Sequence, residues 1–199
     1  YANLLIEQSS KNDDIYFKID NGDFLQGAPL CNYLVSELRS SKPLTTIYNR
    51  LNFDLGTIGN HEFNYGLPYL IDTLQNLNHP VLCANILDSK QQPFTGEGVH
   101  YFEKEGLTIG VIGLTTQNIP NWEQPHHIEG LTFKSAIETL TQLLPNVREK
   151  ADIVVVSYHG GFERDIDTEE PTEDLTGENE ASEILHRFPV SYTHLTLPT

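Results

Sequence analysis

Phe53-Asp54-Leu55-Gly56-Thr57-Ile58-Gly59-Asn60-His61-Glu62 is the stretch that decides how this chain folds. Its first part, Phe53 to Ile58, is short and mostly apolar, which reads as a buried strand. Gly59 then allows a tight turn, and polar side chains follow at once. Two other segments repeat the plan. Ile15 to Ile19 reads as a strand ending at Asp20-Asn21-Gly22-Asp23, and Ile153 to Ser157 as one ending at Tyr158-His159-Gly160-Gly161. Asp23, Asn60-His61 and His159 thus each follow an apolar strand. In layered α/β folds, residues at the C-terminal ends of strands usually carry the chemistry.

The rest of the chain supplies the alternating elements such a fold needs. Helical spacing recurs at Leu30 to Leu38, Leu44 to Leu51, Leu67 to Leu77 and Asn179 to His186. Phe133 to Lys150 is the clearest amphipathic helix, with Pro145 a candidate break. Val81 to Ala84 is a further short strand, and Tyr101 to Lys104 with Leu107 to Leu114 flank the hairpin signal Glu105-Gly106. Thr116 to Glu129 lacks periodicity and reads as a long loop; Arg164 to Gly177 reads as an exposed acidic one. No internal repeat or linker is visible, so the expectation is one α/β domain.

Composition narrows the function. The 199 residues carry 12 Lys plus Arg against 28 Asp plus Glu, a formal charge of -16. Such a surface argues against nucleic-acid or anionic-membrane partners. It would also repel a phosphate unless bound cations reversed the local field. No apolar run approaches the ~20 residues of a membrane helix, so no membrane insertion is expected. Cys31 and Cys83 fit no metal-binding spacing and read as two buried thiols. The chain opens at Tyr1 and contains no Met, which reads as an internal piece of a longer protein.

Singly, the strand-end residues have plain structural readings. Asp23 suits a turn, Asn60 a helix cap, and His159 a partly buried position before Gly-Gly. Together, Asp, Asn and His at matched strand ends form a donor set for a borderline divalent ion such as Mn, Zn, Fe or Co. A carboxylate can bridge two such ions, and a metal pair suits in-line displacement at phosphorus. A second His that is not a ligand could then sit over the leaving oxygen as general acid or charge stabiliser.

The runs Asn21-Gly22-Asp23-Phe24-Leu25-Gln26-Gly27-Ala28-Pro29-Leu30, Gly59-Asn60-His61-Glu62-Phe63-Asn64-Tyr65-Gly66-Leu67 and Tyr158-His159-Gly160-Gly161 resemble the calcineurin-like metallophosphoesterases. Within these, the chain is similar to the branch holding 5'-nucleotidases and 2',3'-cyclic-nucleotide 2'-phosphodiesterase/3'-nucleotidases. The segment after Gly59, together with Gly177-Glu178-Asn179-Glu180-Ala181, favours the cyclic phosphodiesterase side. The resemblance implies a layered α/β/β/α sandwich, incomplete at both ends, with a catalytic domain over 1–189. It implies two divalent metal ions, Asp23 as bridging ligand, Asn60 and His159 as ligands of the second ion, and His61 as the catalytic residue. Where 5'-nucleotidases carry an Asp that pairs with this His, the chain has Asn64, which puts a plain Asp-His dyad in doubt. Glu62 receives no role. The implied substrate is a nucleotide, the implied location periplasmic, cell-surface or secreted, and a C-terminal substrate-binding domain is expected in the parent protein.

The family's opening Asp-x-His and closing Gly-His-x-His motifs do not occur. Residues 190–199 do not read as the expected apolar strand, and the expectation is a non-native tail. A chain so bounded is expected to leave a sheet edge open, to hold no stable metal pair, and to be nearly inactive by itself. The alternatives are a 5'-nucleotidase or nucleotide-sugar diphosphate hydrolase, or a non-catalytic remnant of the fold. His126 and His127 are expected to be surface loop residues, as are His79, His100, His186 and His194; Asn85 is expected to serve the framework.

Overall fold

A computed structural model describes residues 16–188 and a two-residue strand at 194–195. The chain enters strand β1 (Ile19–Asp20), then helix α1 (Pro29–Tyr33), a π-helical turn at Leu34–Leu38, and α2 (Lys42–Asn49). Strand β2 (Leu55–Thr57) leads through a 3-10 turn at His61–Phe63 into α3 (Leu67–Asn76) and β3 (Val81–Leu82). After β4 (Ile86–Leu87) come β5 (Val99–Lys104), β6 (Leu107–Thr115), α4 (Ile119–Trp122) and a 3-10 turn at Pro125–His127. The chain closes through β7 (Thr132–Phe133), α5 (Ala136–Lys150), β8 (Ile153–His159), α6 (Ala181–Arg187) and β9 (His194–Leu195).

Strands β1, β2 and β3 form a parallel sheet in that order, and a second sheet runs β5-β6-β8-β9. In the second sheet β5 and β6 are antiparallel, while β6, β8 and β9 are parallel. Strands β4 and β7 form a small antiparallel pair.

Period-two alternation on β6 and β8 shows why four layers result. Ile109 and Val111 of β6 face Leu55 and Leu82 of the first sheet, with Ile153 and Val155 of β8 packed against them. The intervening side chains, Ile112 and Leu114 on β6 and Val154, Val156 and Tyr158 on β8, face Leu140, Leu144 and Val147 of α5. Both faces of β6 are therefore buried, which suits its nearly unbroken apolar sequence. Outside the first sheet, Leu70 of α3 packs with Leu25, Ile58, Phe63 and Ile119. At Gly113 the sheets come so close that a Cβ would lie 2.4 Å from that of Leu82. The layered α/β/β/α arrangement is the expected one.

Several local expectations hold. Glu105 and Gly106 both take positive φ (50° and 81°), the geometry of a two-residue hairpin turn between β5 and β6. Cys31 and Cys83 are free and buried. Asn85 is framework: its amide donates to the carbonyls of Thr115 (2.7 Å) and Lys134 (2.9 Å) and its oxygen accepts from the Thr115 N–H.

Others need correction. Phe133 belongs to β7, and α5 starts at Ala136 behind the N-cap Ser135, whose side chain accepts from the Glu138 N–H. Pro145 does not split α5, because it lies on the exposed face, where a lost backbone hydrogen bond is replaced by water. The segment from Thr116 to Glu129 is not a plain loop: α4 and a 3-10 turn fold within it, and Ile119 anchors it in the core. These helices are too short to show a 3.6-residue period. His79 is half-buried between Tyr48 and Phe53, and burial lowers its pKa. His127 is half-buried too, while His126 and His186 are exposed. His100 is half-buried, paired with Glu97. The side chain of His194, like Ile15, lies outside the described residues. Where an open edge was expected, the backbone of β9 pairs with Val156 and Ser157 of β8.

Candidate active site

The same alternation that packs β8 aims His159. It shares a face with Ile153, Val155 and Ser157, so its ring points toward the first sheet at the end where β1 and β2 also finish. A buried polar chain crosses between the sheets there. The Thr57 hydroxyl donates to Ser157 Oγ (2.7 Å), Ser157 donates to Asn21 Oδ1 (2.7 Å), and Asn21 Nδ2 donates to the Tyr158 carbonyl (3.0 Å).

The two loops that follow β1 and β2 touch backbone to backbone. A Cβ on Gly22 would lie 2.4 Å from the Gly59 nitrogen, and one on Gly59 would lie 2.3 Å from Asp23 Oδ1. Gly22 and Asp23 both adopt positive φ, 93° and 66°. Glu62 ties these loops together. Its carboxylate is 1% exposed and accepts four backbone N–H groups: Gly59 (2.7 Å), Asp23 (2.7 Å), Phe24 (2.8 Å) and Leu25 (3.2 Å). Burial pushes its pKa up to about 6, against these donors. Asp23 Oδ1 in turn accepts the His61 N–H (2.9 Å). Glu62 is the residue that sequence reasoning left without a role. Its reach back to the N–H three residues earlier has the spacing of a capping box, the one local signal that could have marked it.

Asp23, Asn60 and His159 are brought together. His159 Nε2 lies 3.2 Å from Asp23 Oδ2 and 3.0 Å from Asn60 Oδ1. Its Nδ1 donates to the Asn21 carbonyl (2.5 Å), so in the neutral ring Nε2 carries a lone pair. With the ring neutral, three electron-pair donors face one another, an arrangement that a proton on Nε2 or a metal ion relieves. Burial pushes the His159 imidazole down, but the Asp23 carboxylate pushes it up by more. Burial raises Asp23, yet the His159 ring and the His61 N–H outweigh it and hold its carboxyl low. The donor chemistry fits a borderline divalent ion. Among the described residues no three His, Cys, Asp or Glu side chains group as a metal site, so the third donor here is the amide oxygen of Asn60.

His61 stands apart from that trio. Its Nδ1 meets Asn64 Oδ1 at 2.7 Å, and Asn64 Nδ2 donates to Glu123 Oε2 at 2.7 Å. His61, Asn60 and Asn64 border a cavity of about 260 Å³ whose far wall is Ile119, Trp122 and Glu123. Glu178, from the run noted in the sequence, lines the same cavity, and Trp122 is 49% exposed.

No protein-family model matches the chain. It is 36% identical over 160 residues to the 2',3'-cyclic-nucleotide 2'-phosphodiesterase/3'-nucleotidase of Salmonella typhimurium, covering 74% of this chain and 25% of that protein. Its fold superposes on a Staphylococcus aureus protein provisionally named a 5'-nucleotidase and solved with α-ketoglutarate. There the TM-score is 0.93 at 58% identity, over 98% of this chain and 38% of the other. The calcineurin-like phosphoesterase YfkN of Bacillus subtilis shares the fold, with a TM-score of 0.81 at 24% identity over 98% of this chain and 61% of that one. The chain belongs to the calcineurin-like metallophosphoesterases. Within them, its relatives are the 5'-nucleotidases and the 2',3'-cyclic-nucleotide 2'-phosphodiesterase/3'-nucleotidases, as the resemblance implied. The chain spans about a quarter of the length of the curated cyclic phosphodiesterases it matches.

Proposed function

We propose that the intact protein hydrolyses nucleotide phosphoesters, with 2',3'-cyclic nucleotides and 3'-nucleotides as preferred substrates. The observation that carries this is the convergence of Asp23 Oδ2, Asn60 Oδ1 and His159 Nε2 at the joined ends of two sheets. These three would hold a divalent ion, and Asp23, with two carboxylate oxygens, could also serve a second. The ion pair, when bound, supplies a Lewis acid for the phosphoryl oxygens and lowers the pKa of water.

The chain's own residues do the rest. The Gly22–Gly59 junction, too tight for a Cβ on either residue, holds Asp23 and Asn60 beside each other at the place where the phosphorus-bearing group would sit. His61 holds a proton for the departing ribose oxygen, with its ring oriented through Nδ1 by Asn64. Trp122 and Ile119 give the cavity beside His61 an apolar wall that suits the sugar and base of a nucleoside. A C-terminal domain completes the substrate site, and the protein works in the periplasm, at the cell surface or after secretion, as the resemblance implies. Among the described residues no helix is long and apolar enough to cross a membrane.

Assays of the intact protein on 2',3'-cyclic AMP, 3'-AMP and 5'-AMP test this reading. Metal-dependent turnover of the first two, lost in H61A, supports it. Preference for 5'-AMP selects the second reading, a 5'-nucleotidase, which the likeness to the Staphylococcus aureus structure favours. Absence of turnover and of bound metal would leave a non-catalytic remnant.

A further inference from the structure

The network beyond His61 has a direction, and Glu123 sets it. Its carboxylate can only accept hydrogen bonds. Oε1 takes the Gln124 N–H (2.9 Å) and faces His127 Nδ1 (2.9 Å); Oε2 takes Asn64 Nδ2 (2.7 Å). An amide that gives its NH2 to Glu123 must turn its oxygen to the other side, and that oxygen meets His61 Nδ1 at 2.7 Å. Facing an acceptor, Nδ1 must carry the ring proton. The side chain of Glu123 is only 8% exposed, so water competes little for its oxygens. The Gln124 N–H, Asn64 amide and His127 ring outweigh burial and keep its carboxyl low.

We propose that Glu123 is a positioning residue for His61: through the orientation of the Asn64 amide it keeps an acceptor against Nδ1, so that Nδ1 always carries a proton and Nε2 is the nitrogen that takes up and gives the proton for the leaving oxygen. Asn64 alone cannot do this, because an amide turned end for end fits the same space and would present NH2 to Nδ1. The carboxylate one residue further out removes that freedom. His127 and the Gln124 N–H hold the carboxylate in turn, so the chain is satisfied at every link. This inference rests on His61 acting on the leaving group as proposed above.

The test is a donor-acceptor swap in the intact protein. In E123Q, the new amide keeps its oxygen on Gln124 and His127 and turns its NH2 toward Asn64, which must flip and offer NH2 to His61. In the double variant N64D/E123Q, the NH2 of the introduced amide meets a carboxylate and His61 Nδ1 again faces an acceptor. The primary readout is the tautomer of the neutral His61 ring, from the 15N shifts of its imidazole in metal-free or zinc-loaded protein. We expect Nδ1–H in the parent, Nε2–H in E123Q and Nδ1–H again in the double variant. In the same order, kcat should fall about 10- to 100-fold, with KM little changed, and then recover. N64D alone sets two carboxylates against each other and should be rescued by adding E123Q; this pair serves if E123Q alone does not fold. An unchanged tautomer in E123Q, or no recovery in the double variant, overturns the proposal. If H61A left kcat intact, the functional reading would fail, while the tautomer would still decide the role of Glu123.

Discussion

Two histidines border this site, and their surroundings differ in kind. His159 faces a carboxylate oxygen and an amide oxygen, acceptors that have nothing to give it. His61 ends a chain in which each donor meets an acceptor, through Asn64 and Glu123 to His127. The first arrangement calls for a proton on Nε2 or a metal ion; the second is complete by itself. On the proposed function, the same residue type serves as a ligand in one place and as an oriented proton carrier in the other, decided by the partner of the remaining nitrogen. Around His159 that partner is the Asn21 carbonyl, which frees Nε2 as a lone pair.

The contrast can be broken experimentally. The largest effect is expected from H159A in the intact protein: loss of bound metal, and a drop in kcat/KM on the order of 10³-fold, about 4 kcal/mol of transition-state stabilisation. Metal analysis and steady-state kinetics check it, and retention of a full metal complement in H159A would collapse the distinction. Glu62→Ala should come next. It strands four N–H groups inside the loop junction and should cost about 3 kcal/mol or more of stability, read as a lower denaturation midpoint. Chelation should follow. Metal at 100 times its Kd adds about 2.7 kcal/mol to the folded state, so a chelator should lower Tm in the parent protein and in E123Q alike, but not in H159A. The smallest effect is expected from G59A, where a methyl group driven against Asp23 should cost about 1–3 kcal/mol and weaken metal binding, measured by titration.

The meeting of Asp23, Asn60 and His159 was legible in the sequence and the network through Glu123 was not, for a physical reason. Asp23, Asn60-His61 and His159 each follow an apolar strand, with a glycine beside Asp23, Asn60 and His159, so local pattern alone marks them. Glu62 accepts from Asp23, Phe24 and Leu25, which lie 37 to 39 residues away, and no local pattern carries that. Glu123 and His127 fall in a segment without periodicity, and Glu123 meets Asn64 across 59 residues. Asn64 was read correctly as unable to offer charge to His61; what the sequence hid is that the charge stands one link further out. The fold was legible because short apolar runs alternate along the chain with segments of helical spacing. The start of α5 near Phe133 was misjudged because an apolar residue continues a helical stripe as well as it ends a strand.

The Thr57-Ser157-Asn21 chain between the sheets has a mechanical consequence. Packing between the two apolar faces resists sliding through many weak, non-directional contacts. The hydroxyl hydrogen bonds add direction: at 2.7 Å they select one alignment of donor and acceptor and weaken as the angle opens. The chain acts as a dowel between two plates, fixing their offset at the edge where Asp23 hangs from one and His159 from the other. The distance between those side chains is then set by the assembly of the whole sandwich, and thermal wander of either loop is measured against that pin.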